Sequence, residues 1–224
     1  MTRIAGVVHA LPEGIQRAAD LAREFPDWPV DKITAKLGID SLHVAAEDEC
    51  ASDLAVRAAE QLFSAGIARR EDVDYLILLT QTPDYILPTT ACLLQDRLGL
   101  SYDIGALDVN LGCSGYVYGL GLAEGLIASG QAKNVLLLTA DTYSKIVHPL
   151  DRGLRALLGD AATATLVSAD PAHADGLGSF VYGTDGKRAM NIVIPAGGMR
   201  KRKPEGMLEM DAKGNGRTDA DVRM

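Results

Sequence analysis

Aromatic side chains are scarce in this chain. Phe, Trp and Tyr make up 5% of its 224 residues, while Gly contributes 23 and Ala is abundant. That mix suits close packing of helices on a sheet and argues against an aromatic-rich sandwich. Cysteine is sparse too: three residues, an odd count that no disulfide framework fits, so a reducing cytoplasm is the expected compartment. No apolar run reaches the ~18 residues that a membrane span needs. The opening MTRIAGVVHALPEG has one Arg and a short apolar run cut by Pro12 and Glu13, and reads as a first strand rather than a targeting segment. Basic charge is also in deficit. The net charge is -8 and no stripe of Lys and Arg stands out, which argues against nucleic acid and anionic membranes as partners. What is present is a globular composition, 47% hydrophobic, long enough for one large core or two small domains.

Along the chain, apolar runs of strand length alternate with helical patterns. Buried strands are expected at 3–9, 74–80, 104–110, 134–141 and 161–169, with two more at 176–184 and 190–196. A helix is expected over 13–25, with Ile15, Ala18, Ala19, Ala22 and Phe25 on one face. Others follow at 30–37, ending at Gly38; at 52–66, with Ser52 as N-cap; at 88–99, with Pro88 in the first turn; and at 113–129. Residues 149–160 read as loop and short helix. From residue 197 the chain is polar and Gly-rich, with no closing helix or strand. The alternation predicts an α/β fold with a mainly parallel sheet covered by helices on both faces.

The stretch DVNLGCSGYVYGLGLAEGLIASG (108–130) places Cys113 in a sharp turn between strand and helix. Gly112 and Gly115 relieve crowding there. A thiol at a helix N-terminus is favoured as thiolate, and the same N–H groups can hold an oxyanion. The helix carries Gly115, Gly119, Gly121 and Gly125, which predicts close packing against another backbone. A buried structural cysteine explains the spacing equally well. Cys50 and Cys92 read as structural, and the separations match no metal pair.

The residues now carry a resemblance. The run from DVNLGCSG through TADTYSKIVHPLDRGLRALLGDAATATLVSA resembles the nucleophile region of the thiolase superfamily. It is most similar to 3-oxoacyl-(acyl-carrier-protein) synthase III and its ketosynthase-III-like relatives. TQTPDYILPTTACLLQDRLG before it, DRG at 151–153 and GD at 159–160 fall in the family's order, and KLGIDSLHVA (36–45) matches its stretch after the first helix. The resemblance weakens after about residue 185. It implies a thiolase-like layered fold, a mainly parallel mixed sheet flanked by helices, as the first of two similar halves. Residues 1–185 would form the nucleophile-bearing half, and 186–224 a connecting segment.

The resemblance implies that Cys113 takes an acyl group from a coenzyme A thioester and passes it to a carbanion formed by decarboxylating malonyl-carrier protein. No permanent cofactor and no metal are implied. Arg152 and Gly153 match the loop that touches coenzyme A. Leu87 matches a residue that reaches across a homodimer, which would form through strand 104–110. Tyr143 and Leu158 fall near positions that shape the acyl pocket. Two departures stand out. Lys32 and Lys36 occupy the positions of a family Trp and Arg that grip the nucleotide, and Trp28 is off that position, so the donor could be a carrier protein. The family's catalytic His and Asn, and a Gly-rich loop completing its oxyanion hole, belong to a second half that this sequence does not include. Of the histidines here, His9 reads as structural, His43 as part of a surface extension and His173 as loop, while His148 lies near the DRG loop. Asp108, Asp141 and Asp160 read as turn and hydrogen-bond residues. Two other outcomes fit the residues: acyl transfer to an alcohol or amine without carbon–carbon bond formation, or a catalytically silent half that serves a partner. A cysteine hydrolase lacks a convincing His.

Overall fold

A computed structural model describes residues 1–170 and 176–224, with the side chains of residues 32 and 33 left aside. The loop position expected for His173 lies outside the described residues. In chain order the elements are β1 (Thr2–Ala10), β2 (Gly14–Arg17), α1 (Ala18–Glu24), α2 (Val30–Leu37), β3 (Ser41–Val44), α3 (Ala51–Ser64), β4 (Tyr75–Leu79), α4 (Thr90–Arg97), β5 (Gly105–Val109), α5 (Gly115–Ala128), β6 (Asn134–Thr142), α6 (Arg152–Arg155), β7 (Asp160–Ala169), β8 (Glu209–Met210) and β9 (Gly216–Arg217). Among the described residues, no helix is long and apolar enough to cross a membrane.

The chain divides into two compact units. The first holds Met1–Pro12, Asp48–Asp141 and Ala161–Val181. It is built on a five-stranded sheet in the order β1-β7-β6-β4-β5. β4 runs parallel to both β5 and β6, while β1 and β7 pair antiparallel, so the sheet is mixed. The central strands are the most apolar. Leu76, Ile77 and Leu78 of β4 and Val135, Leu136, Leu137 and Leu138 of β6 are fully buried, as a strand covered on both faces requires. The edges differ from expectation. β1 and β5 read as buried strands, yet β1 exposes Ile4 and Val7, and every residue of β5 is only half-buried. An edge strand has a neighbour on one side only, and the composition of a short apolar run does not report that.

Helix α3 covers one face with Leu54, Ala55, Ala58, Ala59 and Leu62, all fully buried in one cluster with Leu76, Leu78, Leu136 and Leu138. Its N-cap lies two residues earlier than its sequence pattern suggests. Cys50 is the N-cap, in a capping box with Asp53, and Ser52 instead donates its hydroxyl to Asp84 at 2.6 Å. Pro88 precedes the N-cap of α4, Thr89, and does not sit in the helix.

Helix α5 packs on the other face. A Cβ at Gly119 would stand 2.8 Å from Leu137 Cδ1 and 3.0 Å from Leu79 Cδ1. The close approach is therefore to side chains of the sheet and not to another backbone. Gly125 has open space around its Cα and an ordinary φ. The two glycines predict opposite outcomes. Gly125→Ala should stabilise the protein by about 0.5–1 kcal/mol through helix propensity and reduced unfolded-state entropy. Gly119→Val should cost about 1–3 kcal/mol by overpacking. Thermal melts of the two variants check the sign of each.

The second unit holds Glu13–Glu47, Thr142–Asp160 and Tyr182–Met224. The helix expected over 13–25 is divided here. Gly14–Arg17 pairs antiparallel with Ser41–Val44, and only Ala18 onward is helical. His43, expected in a surface extension, lies in a strand of this two-stranded sheet, opposite Ile15. Gly38 ends α2 in the left-handed region at φ 70°, as the sequence suggests. The strands expected at 176–184 and 190–196 do not form. Residues 186–191 make a 3-10 turn, and Val193 forms one isolated bridge to Arg223. The tail does carry strand structure elsewhere, in the short β8–β9 hairpin. Its Val222 packs in a small apolar cluster with Val147 and Leu154.

Candidate active site

The register of the first unit decides what lies beside Cys113. Leu79 of β4 is opposite Val109 of β5 and opposite Thr139 of β6. β4 and β5 therefore end level with each other, β6 runs three residues further, and the segments leaving the first two emerge beside the end of β6. The carboxyl edge of parallel strands is where α/β folds place their chemistry. Residues 110–114 leave β5, residues 80–82 leave β4, and Asp141 lies two residues past Thr139 in β6. The Thr80 N–H donates to the Val109 carbonyl at 3.2 Å, which ties the first two segments together.

Cys113 is exposed in the turn, and α5 begins two residues later with Ser114 as its N-cap. The thiol thus precedes the helix and is not its first residue. The turn closes on itself: Leu111 N–H donates to Val109 at 3.0 Å, and Gly115 N–H donates to Gly112 at 2.7 Å. The first turn of α5 is anchored by the Tyr116 hydroxyl, 3.1 Å from the hydroxyl of Thr165 on β7.

The three aspartates act as the sequence reading expects. Asp108 accepts the N–H groups of Thr90 and Ala91 at 2.8 and 2.7 Å, closing the first turn of α4. Asp160 accepts from Ala45 N–H at 2.7 Å and from the N–H and hydroxyl of Ser144 at 2.8 and 2.5 Å. One oxygen of Asp141, Oδ1, accepts from Gln81 N–H at 2.7 Å, Thr82 N–H at 3.0 Å and the hydroxyls of Thr82 and Thr80 at 2.8 and 3.1 Å. Burial nevertheless pushes the Asp141 carboxyl upward, and these hydrogen bonds only partly offset it.

The sign of the pH effect follows from that direction. A carboxyl whose folded pKa lies above its unfolded value of about 3.9 contributes most below the unfolded value. That contribution is lost as pH rises through the folded pKa. Asp141→Asn keeps an oxygen acceptor and cannot ionise. We expect the stability of the wild type relative to Asp141→Asn to fall as pH rises from about 4 to 7. Parallel melts over that window measure it; a constant difference would contradict it.

The remaining candidates belong to the second unit, apart from Leu87. Leu87 is 83% exposed beside Tyr85 and Ile86, which are exposed as well. Asp151 is fully buried; it accepts Leu154 N–H at 3.0 Å and is ion-paired with Arg217. Gly153 N–H donates to the Asn215 side chain at 3.3 Å, and Arg152 donates to the Lys213 carbonyl. The tail thus holds residues 151–153 at the start of α6, a role that sequence reading did not assign to Arg217 or Asn215. Nothing local in a polar, Gly-rich segment signals it. The Arg152 guanidinium also lies over the ring of Trp28, 5.7 Å from its centroid. Trp28 is thereby a site candidate that matching by position missed, because spacing from Gly38 does not show where its ring points.

Lys36 is exposed in the last turn of α2. Lys32 is in the same helix, its side chain outside the described set. Tyr143 and Leu158 pack on the cluster of Val147, Leu154 and Val222. Leu158 also lines a cavity of about 240 Å³ with Val44, Ser144, Val147 and Arg155. His148 is spent locally, its Nδ1 accepting from Leu150 N–H at 3.1 Å in a tight turn. His9 is exposed on β1.

A mixed α/β sheet with a cysteine turn at its carboxyl edge is the architecture of the thiolase-like proteins. The comparisons agree. The family described as 3-oxoacyl-[acyl-carrier-protein (ACP)] synthase III matches residues 107–186. A solved 3-oxoacyl-(acyl-carrier-protein) synthase III is 51% identical with a TM-score of 0.97, covering all of this chain and 67% of its own. The synthase III of Pseudomonas aeruginosa is 33% identical with a TM-score of 0.82, over all of this chain and 64% of that one. Among curated proteins, beta-ketoacyl-[acyl-carrier-protein] synthase III of Xylella fastidiosa is 41% identical over 216 residues, 95% of this chain. The chain spans 65% of that relative's length. It belongs to the 3-oxoacyl-(acyl-carrier-protein) synthase III family.

Proposed function

We propose that this chain carries the nucleophile of a β-ketoacyl synthase III-type condensing enzyme, with Cys113 as the acyl carrier. The observation that carries the reading is the exposed Cys113 in a glycine-flanked turn at the ends of the parallel strands, in a chain of this family. The Cys113 thiolate attacks the thioester carbonyl of an acyl-coenzyme A. A new carbon–sulfur bond forms, and coenzyme A leaves as its thiol. Malonyl-carrier protein then loses carbon dioxide, and its carbanion attacks the Cys113 thioester. A carbon–carbon bond forms, and the cysteine is released. No residue of this chain is assigned the decarboxylation step. The reaction needs no resident cofactor in this reading.

Arg152 and Trp28 supply a cationic and an aromatic plane for a nucleotide base. Gly153 leaves room for the donor's pantetheine arm. Lys36 and Lys32 offer positive charge for its phosphates. Tyr143 and Leu158 would bound the acyl chain, so Tyr143→Ala should accept longer chains. The half-buried edge strand β5 and the exposed Leu87 support a homodimer through that edge. Three free thiols fit a reducing cytoplasm.

The test is intact-mass spectrometry of the natural protein after incubation with acetyl-, butyryl- and octanoyl-coenzyme A, followed by malonyl-carrier protein. An acyl adduct, then a β-keto thioester with loss of carbon dioxide, is expected. An ester or amide formed without carbon dioxide would replace condensation by simple acyl transfer. Absence of any adduct would overturn the reading for these donors.

A further inference from the structure

We propose that Gln81 is a positioning residue for the nucleophile: its carboxamide, carried on a loop backbone that Asp141 holds, forms the wall against which the Cys113 turn is set. The inference rests on the reading of Cys113 as acyl carrier.

The placement follows from the sheet. The register that puts Leu79 between Val109 and Thr139 delivers residues 80–82 between Asp141 and the 110–114 turn. Asp141 gathers two backbone N–H groups and two hydroxyls of this loop on one oxygen. Thr82 N–H also donates to the Thr80 hydroxyl at 3.1 Å, which tightens the loop further. A backbone held at so many points fixes where the Gln81 side chain begins. The direction it takes is toward Gly112. A Cβ on Gly112 would stand 2.4 Å from Gln81 Oε1 and 3.2 Å from its Cδ. The carboxamide therefore occupies the space that any side chain at 112 would need. Gly112 is the residue before Cys113, whose Cα is about 3.8 Å further along the chain.

The chemistry fits that location. A carboxamide can donate or accept beside a thiolate or a thioester without adding charge. A carboxylate in its place would oppose the thiolate. Asp141 provides the acidic anchor one step away, with its oxygen turned to the loop.

The experiment measures iodoacetamide alkylation of Cys113 in the folded full chain by peptide mass spectrometry, and so does not depend on acyl transfer. Gln81→Glu should slow alkylation of Cys113 about tenfold near pH 7 and approach the wild-type rate near pH 9.5. Cys92, exposed on α4, is the control in the same sample and should keep its rate. An unchanged Cys113 rate in a Gln81→Glu protein of wild-type Tm overturns the inference. Should that variant fail to fold, Gln81→Asn withdraws the carboxamide by one methylene. It should slow acyl-adduct formation at least about threefold while leaving the pH dependence of alkylation unchanged; a wild-type rate overturns the inference. An alkylation shift in a protein that never forms an adduct would uphold Gln81's placement and sink the acyl-carrier reading. An adduct with no alkylation shift would do the reverse.

Discussion

Cys113→Ser should lose the acyl adduct altogether while melting within a few degrees of the wild type. A hydroxyl at this position has no base assigned within the chain and stays protonated at neutral pH, whereas a thiol is a few per cent ionised even when unactivated. The rate of adduct formation should fall on the order of 10³-fold or more. Stability should barely change, because the side chain is exposed and sits outside the cores built on β4 and β6. The measurement is the time course of the mass shift for the variant beside the wild type and beside Cys92→Ser, which should acylate normally. Retention of the adduct in Cys113→Ser would place the acyl group on another residue.

The second large effect is expected at Arg217→Met. Asp151 is fully buried, and Arg217 is its charge partner. Removing one member of a buried pair leaves the other ion desolvated without compensation, at a cost of about 3–5 kcal/mol. The loss should be local in origin. The same carboxylate caps α6 through Leu154 N–H, and the first turn it closes carries Arg152 and Gly153. The expected result is a lowered Tm together with a raised half-saturating concentration of acyl-coenzyme A. Asp151→Asn combined with Arg217→Met removes both charges and should recover part of the stability. A single variant within about 0.5 kcal/mol of the wild type would mean that water reaches Asp151 and screens it.

A second charged cluster in the tail responds to acid. Asp219 is held well below the usual carboxylate range by Lys201 at 2.8 Å and by the N–H groups of Glu205 and Gly206. Its folded pKa is depressed, so its contribution is present above the unfolded value of about 3.9 and is lost as pH falls through the folded one. Asp219→Asn should therefore differ most from the wild type near neutrality, and the difference should narrow on acidification. Hydrogen exchange of the 201–206 amides over that pH range measures it.

Local pattern was enough for the centre of the sheet. The runs around Leu76–Leu79 and Val135–Leu138 are apolar at every position, of strand length and bounded by polar residues, as a strand covered on both faces requires. Pattern was misleading where a partner is distant. Ile15 and Ala18 share a helical face in the sequence, yet Gly14–Arg17 is drawn into an antiparallel pair by Ser41–Val44, which returns after two helices. The apolar residues near 180 and 192 suggested strands, but among the described residues the only β-bridge there joins Val193 to Arg223. Asp108, Asp141 and Asp160 were legible as hydrogen-bond residues by type, while their recipients came from other strands and loops.

By itself, then, the sequence determined the α/β alternation, the buried central strands and the cysteine turn, because these depend on residue types within a few positions of one another. It also carried the family resemblance, which is an ordered set of short motifs. Only the tertiary structure decided which strands are edges, that Gln81 faces Gly112, that Trp28 meets Arg152, and that Arg217 closes on Asp151. Each of those depends on parallel register or on a segment returning from far along the chain, and packing chooses such partners from many that are locally equivalent.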